Sequence, residues 1–157
     1  MSQKQVCCFT GHRAIPAKNR DKLQKALDNE IRRLIGEGTH QFMTGGAMGF
    51  DTMAAQSVLK FREEFPDVSL TLVLPHKYQT SGWSAEDKAT YKAILAEAND
   101  VVYTAERYYP GCMIERNHYM VDHSGTCICY LTRTGGGSFS MVQYAKQCGI
   151  AVINIAQ

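Results

Sequence analysis

The residues best suited to chemistry fall in four short stretches: Thr10-Gly11-His12-Arg13, and residues 44–51, 111–124 and 134–138. Gly45, Gly46 and Gly49 crowd the second stretch, and Gly135, Gly136, Gly137 and Ser138 the fourth. Glycine lets backbone approach a ligand closely. A helix start offers free N–H groups and partial positive charge, which suits phosphate. Either loop alone reads better as a tight turn. Two such loops on one sheet edge favour a nucleotide-like ligand. Neither ends in Gly-Lys-Ser/Thr, and neither has full Gly-x-Gly-x-x-Gly spacing. Arg13 follows a strand end, where it can fork onto phosphate oxygens or make a surface salt bridge. With Gly11 and His12 it makes up the first loop. His12 has no metal partner at useful spacing and reads first as structural. Asp51 is either a first-turn acid favoured by the helix dipole or a carboxylate accepting ribose hydroxyls.

In the third stretch, Met113, Asn117, Met120 and Val121 share one helical face, bordered by Arg116. The Asn117 amide needs a partner if buried. It either bonds neighbouring backbone or assists an arginine at the ligand edge. Cys112, His118 and His123 do not align on one helix face, so no metal is expected. Trp83 and Tyr78 either stack on a base or cover the core. Tyr103, Tyr108 and Tyr109 pose the same question.

These loops need elements to carry them. Hydrophobic periodicity predicts strands over 6–10, 41–44, 69–74, 100–104, 126–131 and 150–155. Helices are predicted over 19–35, about 51–64, 113–122 and 138–147, with another starting after Ser84. Ser84 with Asp87 resembles a capping box. Regular strand–helix alternation calls for an α/β, Rossmann-like three-layer fold, a mostly parallel sheet flanked by helices. The glycine-rich loops then fall at the carboxyl ends of strands, where such sheets bind ligands.

Residues 1–157 read as one domain with a hydrophobic fraction, 45%, sufficient for a core. Seventeen basic against fifteen acidic residues give a net charge of +2, too little to grasp a nucleic-acid backbone. Nucleic acid is therefore not the expected partner. Its signature would be Lys18, Arg20, Lys22, Arg32, Arg33 and Lys60 clustering on one face. No apolar run approaches the ~20 residues of a membrane span, and no apolar leader precedes the first strand. A cytoplasmic location is expected. The six cysteines include adjacent Cys7 and Cys8 and lack Cys-x-x-Cys spacing, so buried or free thiols are expected.

Thr-Gly-His-Arg at 10–13, Gly-Gly-Ala-Met-Gly-Phe-Asp at 45–51, residues 111–124 and Gly-Gly-Gly-Ser at 135–138 resemble the YpsA-like branch of the SLOG superfamily. The resemblance runs along nearly the whole chain and implies a Rossmann-like fold. That superfamily includes LOG-type phosphoribohydrolases and DprA-type DNA-processing proteins. It implies cytoplasmic binding of a nucleotide or ADP-ribose-like ligand with no required cofactor, and admits a homo-oligomer. Two alternatives accompany it: N-glycosidic hydrolysis of nucleoside monophosphates, with Arg116 in the site, and DprA-like DNA handling. Arg116-Asn117 resembles the Arg-Lys pair of the LOG enzymes, and residues 135–141 resemble the end of their glycine motif. Aligned this way, their catalytic glutamate falls on Met141, which cannot carry a proton. Asp51, Glu115 or Asp122 would have to substitute.

Overall fold

The computed structural model describes residues 2–156. Six strands form one sheet: β1 (Val6–Gly11), β2 (Gln41–Thr44), β3 (Ser69–Leu74), β4 (Asp100–Tyr103), β5 (Thr126–Tyr130) and β6 (Ala151–Asn154). Five α-helices alternate with them: α1 (Arg20–Gly36), α2 (Phe50–Glu64), α3 (Ala85–Glu97), α4 (Cys112–Asp122) and α5 (Gly136–Gln147). The strand order is β4-β3-β2-β1-β5-β6, and every pairing is parallel. The expected α/β three-layer fold is present. Two single 3₁₀ turns, Gln3–Gln5 and Ala17–Asn19, carry no hydrophobic period and were not expected.

Strand alternation divides the core into two sides. Cys7 and Phe9 of β1, Phe42 of β2 and Leu70 and Leu72 of β3 face α1, α2 and α3. Leu23, Leu27, Ile31 and Leu34 bring the buried stripe of α1 against them. Val6 and Cys8 of β1, Met43 of β2 and Cys127 and Cys129 of β5 face the other way, against Met120 and Val121 of α4 and Met141, Val142 and Ala145 of α5. All six cysteines are free thiols, and five are buried. Ser84 accepts the Asp87 N–H at 3.1 Å and starts α3.

After β4 the chain returns to the centre and adds β5 on the far side of β1. The loops after β1 and β5 therefore part, opening a crevice at the carboxyl ends of the central strands.

Candidate functional site

A cleft of about 390 Å³ occupies that crevice. The end of β1 and the loop after it supply Thr10 to Ala14, the loop after β2 supplies Ala47, and the first turn of α2 supplies Asp51. Helix α4 gives Met113, Arg116, Asn117 and Met120, while the loop after β5 gives Arg133 and Gly135 to Ser138. Larger hollows, about 690, 670 and 690 Å³, lie elsewhere. The first, between α1 and α2, mixes Lys25, Arg32 and Lys60 with Asp28, Glu63 and Glu64. Its charges largely cancel, and Arg32 pairs with Glu64 at 3.2 Å. Arg33 is likewise paired, with Glu30 and Glu37 at 2.8 Å. Arg32 and Arg33, two members of the cluster that would mark DNA handling, are thus paired with nearby acids.

The cleft lining carries three arginines against one carboxylate. Arg13 and Arg133 are exposed and make no salt bridge within the described residues. Gly135 and Gly136 have φ of +86° and +85°, and nothing lies within 4 Å of where their Cβ atoms would be. The start of α5 thus lines the cleft with no side chain capping its first N–H groups. Ser138 contributes only its backbone N–H as a donor. Its hydroxyl accepts from Thr10 Oγ1 at 3.1 Å and donates to the Gly11 carbonyl at 3.0 Å.

The loop after β2 is built differently. Gly45, Gly46 and Gly49 do not line the cleft. A Cβ on Gly45 would stand 2.5 Å from Arg116 Nη1, and Gly46 faces Leu74, Gln79 and Tyr91. Gly49 has φ +76°, and a Cβ there would reach within 2.5 Å of the Arg13 carbonyl carbon. The Phe50 N–H donates to the His12 carbonyl at 3.1 Å. The Ala47 N–H donates to Asp51 Oδ2 at 3.2 Å. This loop already wraps an anion of its own, the Asp51 carboxylate.

Asp51 is 6% exposed, and its Oδ1 is buried without a partner. Burial pushes its pKa up to about 6, against the opposing pull of Arg116, the Ala47 N–H and Arg13. Arg116 is 7% exposed, and burial lowers its pKa despite Asp51. The two side chains make no ion pair within 4.0 Å. Both shifts point the same way: desolvation outweighs their mutual attraction. Arg116 is held by the Gly45 carbonyl at 2.5 Å, the Val73 carbonyl at 3.3 Å and Asn117 Oδ1 at 2.8 Å.

His12 is a buried structural residue. Its Nε2 accepts the Thr132 N–H at 2.9 Å, and burial together with Arg133 lowers its pKa. Trp83 meets Tyr91 edge-on at 5.5 Å, and Tyr78 is exposed; neither lines the cleft. Cys112 is buried, His118 stacks on Tyr144 and His123 on Tyr119. Met141 packs in the α4–α5 core. Glu115 and Asp122 line the separate hollow outside α4, where the Tyr109 and Tyr144 hydroxyls bond them. Of the candidate substitutes for the missing glutamate, Asp51 alone borders the cleft. Arg133 escaped sequence reasoning, although it follows a strand end just as Arg13 does.

The sequence profile of the YspA SLOG family (YpsA) matches residues 7–149. The chain belongs to this family. YoqJ, an uncharacterised SPbeta prophage-derived protein of Bacillus subtilis (strain 168), is 29% identical over 142 residues, covering 83% of this chain and 81% of its own. The UPF0398 protein YpsA of the same organism is 26% identical over 153 residues, covering 91% and 85%. Among solved structures, DNA processing protein A from Streptococcus pneumoniae superposes with a TM-score of 0.65 at 16% identity, over 94% of this chain and 48% of that one. The SLOG chain thus spans about half of that protein's length. DNA processing protein A from Helicobacter pylori, described with a single-stranded DNA binding mode, gives a TM-score of 0.64 at 16% identity, over 94% and 63%. TM1055 gives 0.58 at 12% identity, over 94% and 71%. At these identities the likeness is one of fold. No helix among the described residues is long and apolar enough to cross a membrane.

Proposed function

We propose that the cleft binds a nucleotide or nucleotide-derived ligand, with its phosphate on the Gly135–Ser138 loop between Arg13 and Arg133. The observation that carries this reading is that two arginines without a salt bridge among the described residues line the same cleft as an uncapped helix start. A charge-assisted fork on each side and backbone N–H groups beneath make an anion seat. The volume, about 390 Å³, lies toward the small end of ligand clefts, which span ~300–1,000 Å³. It suits one nucleotide better than an extended dinucleotide. Titration calorimetry with ribose 5-phosphate, nucleoside monophosphates and ADP-ribose tests the reading. Binding that weakens with salt and is lost in Arg13→Ala/Arg133→Ala supports it. Silence across all these ligands rejects it.

A second reading is N-glycosidic hydrolysis, in which water replaces the base at the ribose. Asp51 favours it as the single carboxylate bordering the cleft. Release of free base from monophosphates, lost in Asp51→Asn, is its assay. The DNA-processing neighbours give no support to leaving nucleic acid out as a partner, because a phosphodiester backbone shares the same anion chemistry. A short single-stranded oligonucleotide therefore belongs in the calorimetric panel, where strong salt dependence would mark backbone contacts.

A further inference from the structure

The α4 wall of the cleft can donate hydrogen bonds but is poorly able to accept them. Arginine is a donor only. Arg116 Nε donates to Asn117 Oδ1 at 2.8 Å, which fixes the amide: its oxygen must face Arg116, and its NH₂ must point away. That NH₂ makes no hydrogen bond within the described residues, and Asn117 is half-buried in the cleft lining. Arg116 Nη2 meets only the Met113 sulfur, at 3.8 Å, a weak acceptor. Met113, half-buried, flanks these donors with polarisable apolar surface suited to a flat ring. The wall is neutral at Asn117, unlike the arginine-flanked phosphate seat at Gly135–Ser138.

Resting on the nucleotide reading above, we infer that Asn117 selects the base: a ring carbonyl, as in hypoxanthine or uracil, over an exocyclic amine, as in adenine or cytosine. A ring carbonyl accepts from the Asn117 NH₂. An exocyclic amine at the same place sets donor against donor, and both lose their water without gaining a partner. Sites built to pair with one polar group discriminate strongly against its absence.

Calorimetry on the whole chain tests this with two matched pairs, IMP against AMP and UMP against CMP, which differ at that group and at the adjoining ring nitrogen, protonated only in IMP and UMP. The expected result is about ten-fold or more tighter binding of IMP and UMP, on the scale of a well-made base contact. Asn117→Asp keeps an oxygen for Arg116 but replaces the NH₂ with a second oxygen. The IMP/AMP and UMP/CMP ratios should then fall and reverse. Equal affinities across both pairs overturn base selection while leaving the phosphate cleft standing. ADP binding more tightly than AMP, with IMP and AMP alike, also overturns it, since the donors then serve a second phosphate. No binding of any nucleotide or of ribose 5-phosphate overturns this inference together with the nucleotide reading. The wild-type pairs decide the matter even where the variant does not fold.

Discussion

Replacing Asp51 by asparagine should make the protein more stable at neutral pH, not less. The Asp51 pKa rises from 3.8 to about 6 in the folded chain. Each unit is worth 1.36 kcal/mol, so ionising Asp51 costs the folded state roughly 3 kcal/mol relative to the unfolded one. The sign follows from proton counting. Between about pH 4 and pH 6 the native carboxyl holds its proton while the unfolded one has released it. Stability from this group therefore falls as pH rises through that window, and the loss is complete above about pH 6. Asparagine mimics the protonated form at every pH. Near pH 4 the variant and the parent should have similar stability. By pH 8 the variant should be more stable by up to about 3 kcal/mol, or roughly 6–12 °C in Tm at this chain length. The competing argument is that buried Arg116 needs its counter-ion and that removing it strands a charge, at ~3–5 kcal/mol. The two arguments predict opposite signs. Urea denaturation of both proteins from pH 4 to pH 8 separates them. A variant that is less stable at pH 8, by an amount shrinking toward pH 4, would refute the dominance of desolvation.

Arg13→Ala and Arg133→Ala should each weaken phosphate-ligand binding several-fold in calorimetry. Both side chains are exposed and unpaired, so urea stability should stay within about 0.5 kcal/mol of the parent. Gly49→Ala should cost upwards of about 3 kcal/mol. It combines a φ of +76° with a Cβ driven into the Arg13 backbone, and neither can relax without moving the β1 loop. A parent-like denaturation midpoint for that variant would contradict the loop geometry. Cys148 is the exposed thiol, so a thiol reagent under native conditions should label it well before the other five, as peptide mass mapping would show.

The fold was largely legible because strand alternation and helical periodicity are local. Element ends moved by one or two residues: α1 closes at Gly36 rather than Ile35, and α5 begins at Gly136 rather than Ser138. The candidate site was legible where a residue's own neighbours position it. Arg13, Arg116, Asn117 and Gly135 to Gly137 all line one cleft. It was not legible where space is allotted by distant chain. Gly45 looked like a ligand-facing glycine, but the room it leaves belongs to Arg116, 71 residues away. Arg133 stood alone in sequence, without a motif to mark it. The neighbour that brings it to the site is β1, and strand order is not written in local periodicity.

The two glycine-rich loops, alike in sequence, divide their work. The loop after β2 spends an N–H on Asp51 and a carbonyl on Arg116. Its glycines admit side chains from within the molecule. In the loop after β5 the Thr132 N–H is held by His12 and Ser138 ties its hydroxyl back to β1, but Gly135 and Gly136 stand in open space. An external anion can compete for the second loop without breaking a native bond, whereas at the first it must displace a carboxylate already in place. Arg116 follows the same logic. Its Nε and Nη1 are committed to Asn117 and two backbone carbonyls, which leaves Nη2 toward Met113 as its free end. It is a fixed donor in the cleft rather than a mobile clamp, and under the proposed nucleotide reading capture of phosphate falls to the exposed Arg13 and Arg133. Met141, buried between α5 and the sheet, completes the reasoning. Helix α5 lends this cleft no proton-carrying side chain at that position, so the carboxylate that borders it comes from Asp51.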